Sequence, residues 1–166
     1  MMNEWGLPAP CLADQLVRLS HKLRSQGLVL PAIALTGGFA TEDQVFKALA
    51  FGEGCISAIG LCRASMAAAM TGKKIGDAVK AGNVPELFKP YGSTVEELFG
   101  DLRALYGKEA NNFSTGAVGV FSYLNKIAFG LRHFAALNRK FKVGSLDRSD
   151  LIPLTRDAKD LLSGQW

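Results

Sequence analysis

Apolar residues change their spacing several times along the chain, and each change marks an element. Leu12, Leu16, Val17, Leu19 and Leu23 recur at helical spacing. They predict a helix over Cys11–Gln26 that Gly27 ends and whose apolar face packs on a sheet. Two short apolar runs follow, Ala32–Leu35 and Cys55–Ile59, each the length of a strand buried on both faces. Between them Glu42–Phe51 reads as a helix. Thr41 and Gln44 have capping-box spacing, and Gly52 stands where a left-handed residue is wanted. A helix so placed is the crossover that a parallel strand pair needs.

Past Gly60 the apolar residues are small. Ala64–Met70 predicts a helix that Gly72-Lys73-Lys74 interrupts and Ile75–Lys80 continues, with Met66 and Met70 as core residues. Gly82–Pro85 marks a turn. Ser93–Glu97 holds two overlapping capping boxes that start a helix running to Tyr106, and Gly107–Ser114 is polar and loop-like. Thr115–Asn138 carries Val118, Phe121, Leu124, Ile127, Leu131 and Phe134 along one helical face. Gly116, Gly119 and Gly130 weaken that helix and permit close packing. Leu146–Leu154 is a connector in which Asp147, Arg148 and Asp150 are expected to form a network fixing the tail to the body, the alternative being a polar clamp on a ligand or partner. Thr155–Ser163 is a last short helix. Residues 1–10 read as extended or loop, with Trp5 as an anchor.

The glycines carry the chemical signal. Gly37-Gly38 follows the first strand, and Gly60 follows the second. Adjacent βα turns at the carboxyl ends of parallel strands are where (β/α)8 barrels bind phosphates. Glycine lets backbone approach an anion closely, and amide N–H groups point at it. Thr36 adds a hydroxyl, Leu61 an amide, and Arg63 a forked cation. Whether the Arg63 side chain or only the Leu61 amide meets the phosphate stays open. So does the plainer reading, in which these are ordinary turn glycines.

Composition narrows the class. The 166 residues are 48% hydrophobic, which suits one domain with a sizeable core and excludes a disordered chain. The net charge of +4 is mild, and the basic residues are scattered, so nucleic acid is not an expected partner. The three cysteines are odd in number and include no CxxC. They point to a reducing, cytoplasmic setting and to small core residues rather than disulfides or a metal site. His21 and His133 stand far apart and unaccompanied. The first ten residues have no apolar leader core, and no stretch is long and apolar enough to span a bilayer, so no membrane partner is expected.

Two segments carry a family resemblance. Gly37-Gly38, the helix segment DQVFKALAFG, the second strand and Arg63 resemble the last βα units of FMN-dependent barrel oxidoreductases. GLCRASMAAAMTGKKIG (Gly60–Gly76) and RKFKVGSLDRSDLIPLT (Arg139–Thr155) resemble the C-terminal end of the FMN-binding glutamate synthase family, in particular its stand-alone members. The resemblance runs from about Leu28 to Gly164. It implies an α/β fold: a partial (β/α)8 TIM barrel, its last βα units and parallel strands in residues 1–82, followed by a helical C-terminal extension over 83–166 packed on it. It implies an oxidoreductase of glutamate and amino-acid biosynthesis, aminating 2-oxoglutarate with glutamine-derived ammonia through FMN. This chain would contribute the FMN phosphate half-site: Thr36, Gly37, Gly38, Gly60, Leu61 and Arg63. Catalytic groups, metal ligands and an iron–sulfur cluster are not expected in it. Its partner would be a chain supplying the earlier strands, or a second copy. The alternative is a non-catalytic interaction domain with vestigial glycine turns.

Overall fold

The computed structural model describes residues 6–98 and 100–164, without the side chains of Val95, Glu96 and Asp101. Trp5, the expected anchor, lies outside the described residues. The chain divides into two compact units, Met1–Leu61 with Gly130–Trp166, and Cys62–Phe129.

The first unit is built around one β-α-β crossover. Helix α1 spans Ala9–Ser25, strand β1 Ile33–Thr36, helix α2 Glu42–Phe51 and strand β2 Ile56–Gly60. The two strands pair in parallel, with Ala34 opposite Ala58, Leu35 opposite Ile59 and Thr36 opposite Gly60. Leu35 and Ile56 are buried against Ala13, Ala48 and Phe51, and Leu161 and Leu162 pack on the same cluster. These leucines come from α7, Arg156–Ser163, whose first turn is capped by Thr155 Oγ1 accepting from the Ala158 amide at 3.2 Å. On the other side of α2, Phe46 and Ala50 pack with Ala135, Leu146 and the Phe134 ring, whose centroid is 5.6 Å from that of Phe46.

This architecture corrects the expected partial barrel. The chain is mostly helical, and the described residues contain one sheet of two parallel strands. A helix precedes β1, and among the described residues no strand follows β2. Nor are the strands buried on both faces: Ala34, Thr36, Ser57 and Ala58 are exposed. The glycine-turn-helix pattern that suggested a barrel belongs to any parallel crossover, because each needs a tight exit from the strand and a helix to return along it.

Helix α1 buries Ala13, Asp14, Val17 and Ser20, while Leu12 and Leu19 of the expected apolar face are exposed. The cause is an ion cluster. The Asp14 carboxylate, whose side chain is 1% exposed, accepts from Arg18 Nε and from Arg148 Nη2, both at 2.7 Å. Arg148 also donates to the carbonyls of Phe51 at 3.3 Å and Leu162 at 3.2 Å, and its guanidinium lies 4.3 Å from the Phe51 ring centroid. One side chain therefore joins α1, the end of α2 and α7. The expected Asp147–Arg148–Asp150 network is not what forms: Arg148 ties the tail to the body through Asp14, while Asp147 and Asp150 both accept from Lys140 Nζ at 2.7 Å.

Two glycines depart from their expected roles. Gly52 is right-handed, with φ −75°, and the left-handed residues are Glu53 and Gly54. Gly52 is small for a packing reason, since a Cβ there would lie 2.7 Å from Ile56 Cδ1. The second is Gly72, in the second unit. There α3 runs unbroken from Arg63 to Lys80 through the expected interruption. A Cβ on Gly72 would lie 2.4 Å from the Thr115 carbonyl oxygen, and one on Gly119 2.4 Å from that of Ala68. The backbones of α3 and of α6, Thr115–Leu137, thus touch within this unit. That contact offsets the roughly 1 kcal/mol a helix-interior glycine costs. It uses the glycine face of α3 and leaves Met66 and Met70 exposed, against their expected core role.

The remaining helices of this unit, α4 (Val95–Leu98) and α5 (Gly100–Tyr106), follow the Thr94–Glu97 capping box, in which Glu97 accepts from the Ser93 and Thr94 amides. The backbone hydrogen bonds hold the Glu97 carboxyl below its ordinary value. The stretch expected as a loop, Gly107–Asn112, is a 3-10 turn whose Ala110 is buried with Leu102 and Val118. Among the described residues no helix is long and apolar enough to cross a membrane.

Removing one partner of a buried ion pair leaves the other charge desolvated. Arg148→Met is expected to destabilise the first unit by about 3 kcal/mol, the low end of such losses because Arg18 still faces Asp14. Arg148→Lys should recover little, since an ammonium does not reproduce the fork. Urea unfolding at neutral pH measures both, and an unchanged midpoint for Arg148→Met would refute the role.

Candidate functional site

The site expected from sequence begins where β1 ends. Thr36 is its last residue and is exposed. Gly37 has φ +129° and Gly38 φ +76°, and a Cβ on either would meet nothing within 4 Å. These glycines answer a backbone demand rather than a packing one, because L-residues enter that region only at a cost of about 1–2 kcal/mol. The chain then turns through Phe39 and Ala40 to the Thr41–Gln44 capping box that opens α2. Gln44 Oε1 accepts from the Ala40 amide at 2.8 Å and the Thr41 amide at 3.3 Å.

The start of α2 carries an acid of its own. Asp43 accepts from Lys47 Nζ at 2.8 Å and from Thr41 Oγ1 at 2.5 Å. Its carboxyl is held down at about 2, chiefly by the Lys47 hydrogen bond and then by Thr41. It is a fixed negative charge in the first turn of α2. Thr36 and Gly60 lie instead at the strand ends.

At those ends the structure brings five of the six expected residues together. Thr36 and Gly60 are register partners, so Gly37-Gly38 and Leu61 leave the sheet side by side at one edge. Adjacent strands stand about 4.8 Å apart, a spacing that a single phosphate group spans. Arg63, the sixth, is the first residue of α3, is exposed, and belongs to the second unit.

The same glycines form part of the wall of a cleft of about 720 Å³ within the first unit. Phe39, Phe46, Phe51 and Phe134 line it, with Leu35 and Leu151. Its size suits a small ligand, and its polar groups lie among Asp43, Gln44, Lys47, Asn138 and Asp150.

Cys55 is buried, whereas Cys62, expected beside it in the core, is exposed and Cys11 half-buried. Among the described residues no group of three or more His, Cys, Asp and Glu is placed to hold a metal ion.

Sequence reasoning missed two charged groups. Asp14 sits between Ala13 and Val17 on the buried face of α1, and a lone acid inside an apolar stripe was the available signal. Lys140 stands among the scattered basic residues, and nothing local marks its pairing with Asp147 and Asp150. Lys140 holds the Asp147 carboxyl down at about 2, with Ser149 adding to it, and is itself pushed above its ordinary value by the two carboxylates. No family model, curated protein or solved structure matches the chain.

A lowered carboxyl stabilises the fold above its unfolded pKa and loses that contribution as pH falls through its folded value. For Asp147 the window runs from about 3.9 in the unfolded chain down to about 2. The raised Lys140 contributes in full below its unfolded pKa and loses that contribution as pH rises through its folded value. Lys140→Met is expected to move the Asp147 titration up toward about 3.9. NMR of the carboxyl carbon reads this directly, and an Asp147 that still titrates near its wild-type value would remove Lys140 as the cause.

Proposed function

We propose that the chain is the C-terminal portion of an FMN-dependent, glutamate synthase-like oxidoreductase, and that it contributes one half of the FMN phosphate site. The observation that supports this reading most is the pairing of Thr36 with Gly60 in a parallel ladder, which sets both glycine turns at one sheet edge. A phosphate there would meet the Gly37-Gly38 backbone, the Thr36 hydroxyl and the Leu61 segment. The space beside both glycines is open, and the two carboxylates lining the adjoining cleft, Asp43 and Asp150, are ion-paired to Lys47 and Lys140. Arg63 rests on the family resemblance alone.

Bound FMN supplies two-electron redox chemistry, and the residues of this chain anchor it rather than react. The reaction is the family's, amination of 2-oxoglutarate with glutamine-derived ammonia in glutamate biosynthesis. Sites for the flavin ring and the substrate then belong to a partner chain that supplies further strands, or to a second copy. The three free thiols suit a reducing cytoplasm.

A second reading draws on the exposed sheet face at Ala34, Thr36, Ser57 and Ala58. In it the chain is a non-catalytic interaction domain that self-associates or completes a partner, and its glycine turns hold no ligand.

Quenching of flavin fluorescence on titration with the purified chain separates the two. FMN is expected to saturate, to be displaced by inorganic phosphate, and to bind about tenfold more tightly than riboflavin, which lacks the phosphate. Thr36→Val keeps the shape and removes the hydroxyl, and should weaken FMN about tenfold. Equal responses to FMN and riboflavin, or none to either, would favour the interaction domain.

A further inference from the structure

The pairing of Thr36 with Gly60 carries a second inference, which rests on the phosphate reading and goes further into it. Paired residues of neighbouring strands project to the same face of a sheet. A Cβ built on Gly60 would lie 2.4 Å from Thr36 Cγ2 and 3.3 Å from Thr36 Cβ. The Thr36 methyl therefore fills the space that a side chain at position 60 would take. Gly60 differs in this from Gly37 and Gly38, whose positive φ demands glycine while the space around them is open. Gly60 is not among the positive-φ glycines, so its need is steric.

We infer that Gly60 is a positioning residue for Thr36: its missing side chain seats the Thr36 methyl and so sets the direction of the hydroxyl that holds the phosphate. The substituents on a threonine Cβ are rigidly related. Once the methyl is seated, χ1 is fixed and the hydroxyl has one direction. Branching at Cβ already restricts χ1, which sharpens the choice. Gly60 thus serves its neighbour across the ladder, rather than a phosphate approaching its own backbone. A methyl added at position 60 forces Thr36 into another rotamer and turns the hydroxyl away. Serine at position 36 has no methyl to displace, and its hydroxyl is free of the conflict.

The test compares the wild-type chain with Gly60→Ala, Thr36→Ser and the double variant. FMN affinity is read by fluorescence, and the residue-36 χ1 by three-bond couplings in the ligand-free protein. Gly60→Ala is expected to weaken FMN about tenfold and to change the Thr36 χ1. Thr36→Ser keeps the hydroxyl without its seated methyl and should weaken FMN about threefold, less than Gly60→Ala does, and the double variant should match Thr36→Ser rather than Gly60→Ala. An unchanged χ1 in Gly60→Ala, or a double variant as weak as Gly60→Ala, overturns the inference. If Gly60→Ala does not fold, recovery of folding in the double variant supports the seat and continued failure overturns it. Wild type that binds no FMN defeats the cofactor reading, and χ1 in the ligand-free chains still decides whether Gly60 seats Thr36.

Discussion

The first unit depends on a buried carboxylate finding two guanidinium groups. Asp14 lies within the buried stripe of α1, where a hydrated charge has no place. Arg18 reaches it from one turn on, and Arg148 from the tail. Desolvating an ion costs several kcal/mol even after relaxation, so neither partner is optional. Arg148 is bound in turn to two backbone carbonyls and lies over Phe51, which leaves it a single arrangement. The hydrophobic cluster of Leu35, Phe51, Ile56 and the α7 leucines is assembled around that fixed point.

The strand ends follow from this frame. With α2 held by Phe46 against Phe134 and by the Arg148 bond to its last carbonyl, the crossover fixes β1 beside β2. Their register then places Thr36 against Gly60 and both turns on one edge. Asp43, kept ionised by Lys47 and Thr41, puts a fixed negative charge in the first turn of α2. Three glycines act here through two different physical causes, backbone sign at positions 37 and 38 and side-chain volume at position 60.

What could be read in the sequence was local. Helix α2 was read over its whole length because caps mark both ends, and each strand lay within a residue of its apolar run. The adjacency of the glycine turns was legible too, since a helix between two short strands implies parallel neighbours. The misreadings share a cause in contacts distant along the chain. Gly72 reads as a breaker until the α6 backbone is laid against it. The buried stripe of α1 was displaced by an acid whose partner is in the tail. Two strands between helices look alike whether or not more strands adjoin them, so the fold class was the largest error. Of the candidate site, the glycine turns are legible in the sequence and the pairing of Asp43 with Lys47 is not.

The Asp14–Arg148 bond spans 134 positions of chain. Closing so wide a loop carries an entropy cost that rises with the logarithm of its length, and contacts of this kind slow folding. The first unit is discontinuous, its β-α-β half and its tail half separated by the whole of Cys62–Phe129. A ribosome releases these halves at different times. Until Arg148 has emerged, the nascent β-α-β segment holds Asp14 without that guanidinium and an apolar layer without the tail that covers it, so its last step of assembly waits on the tail.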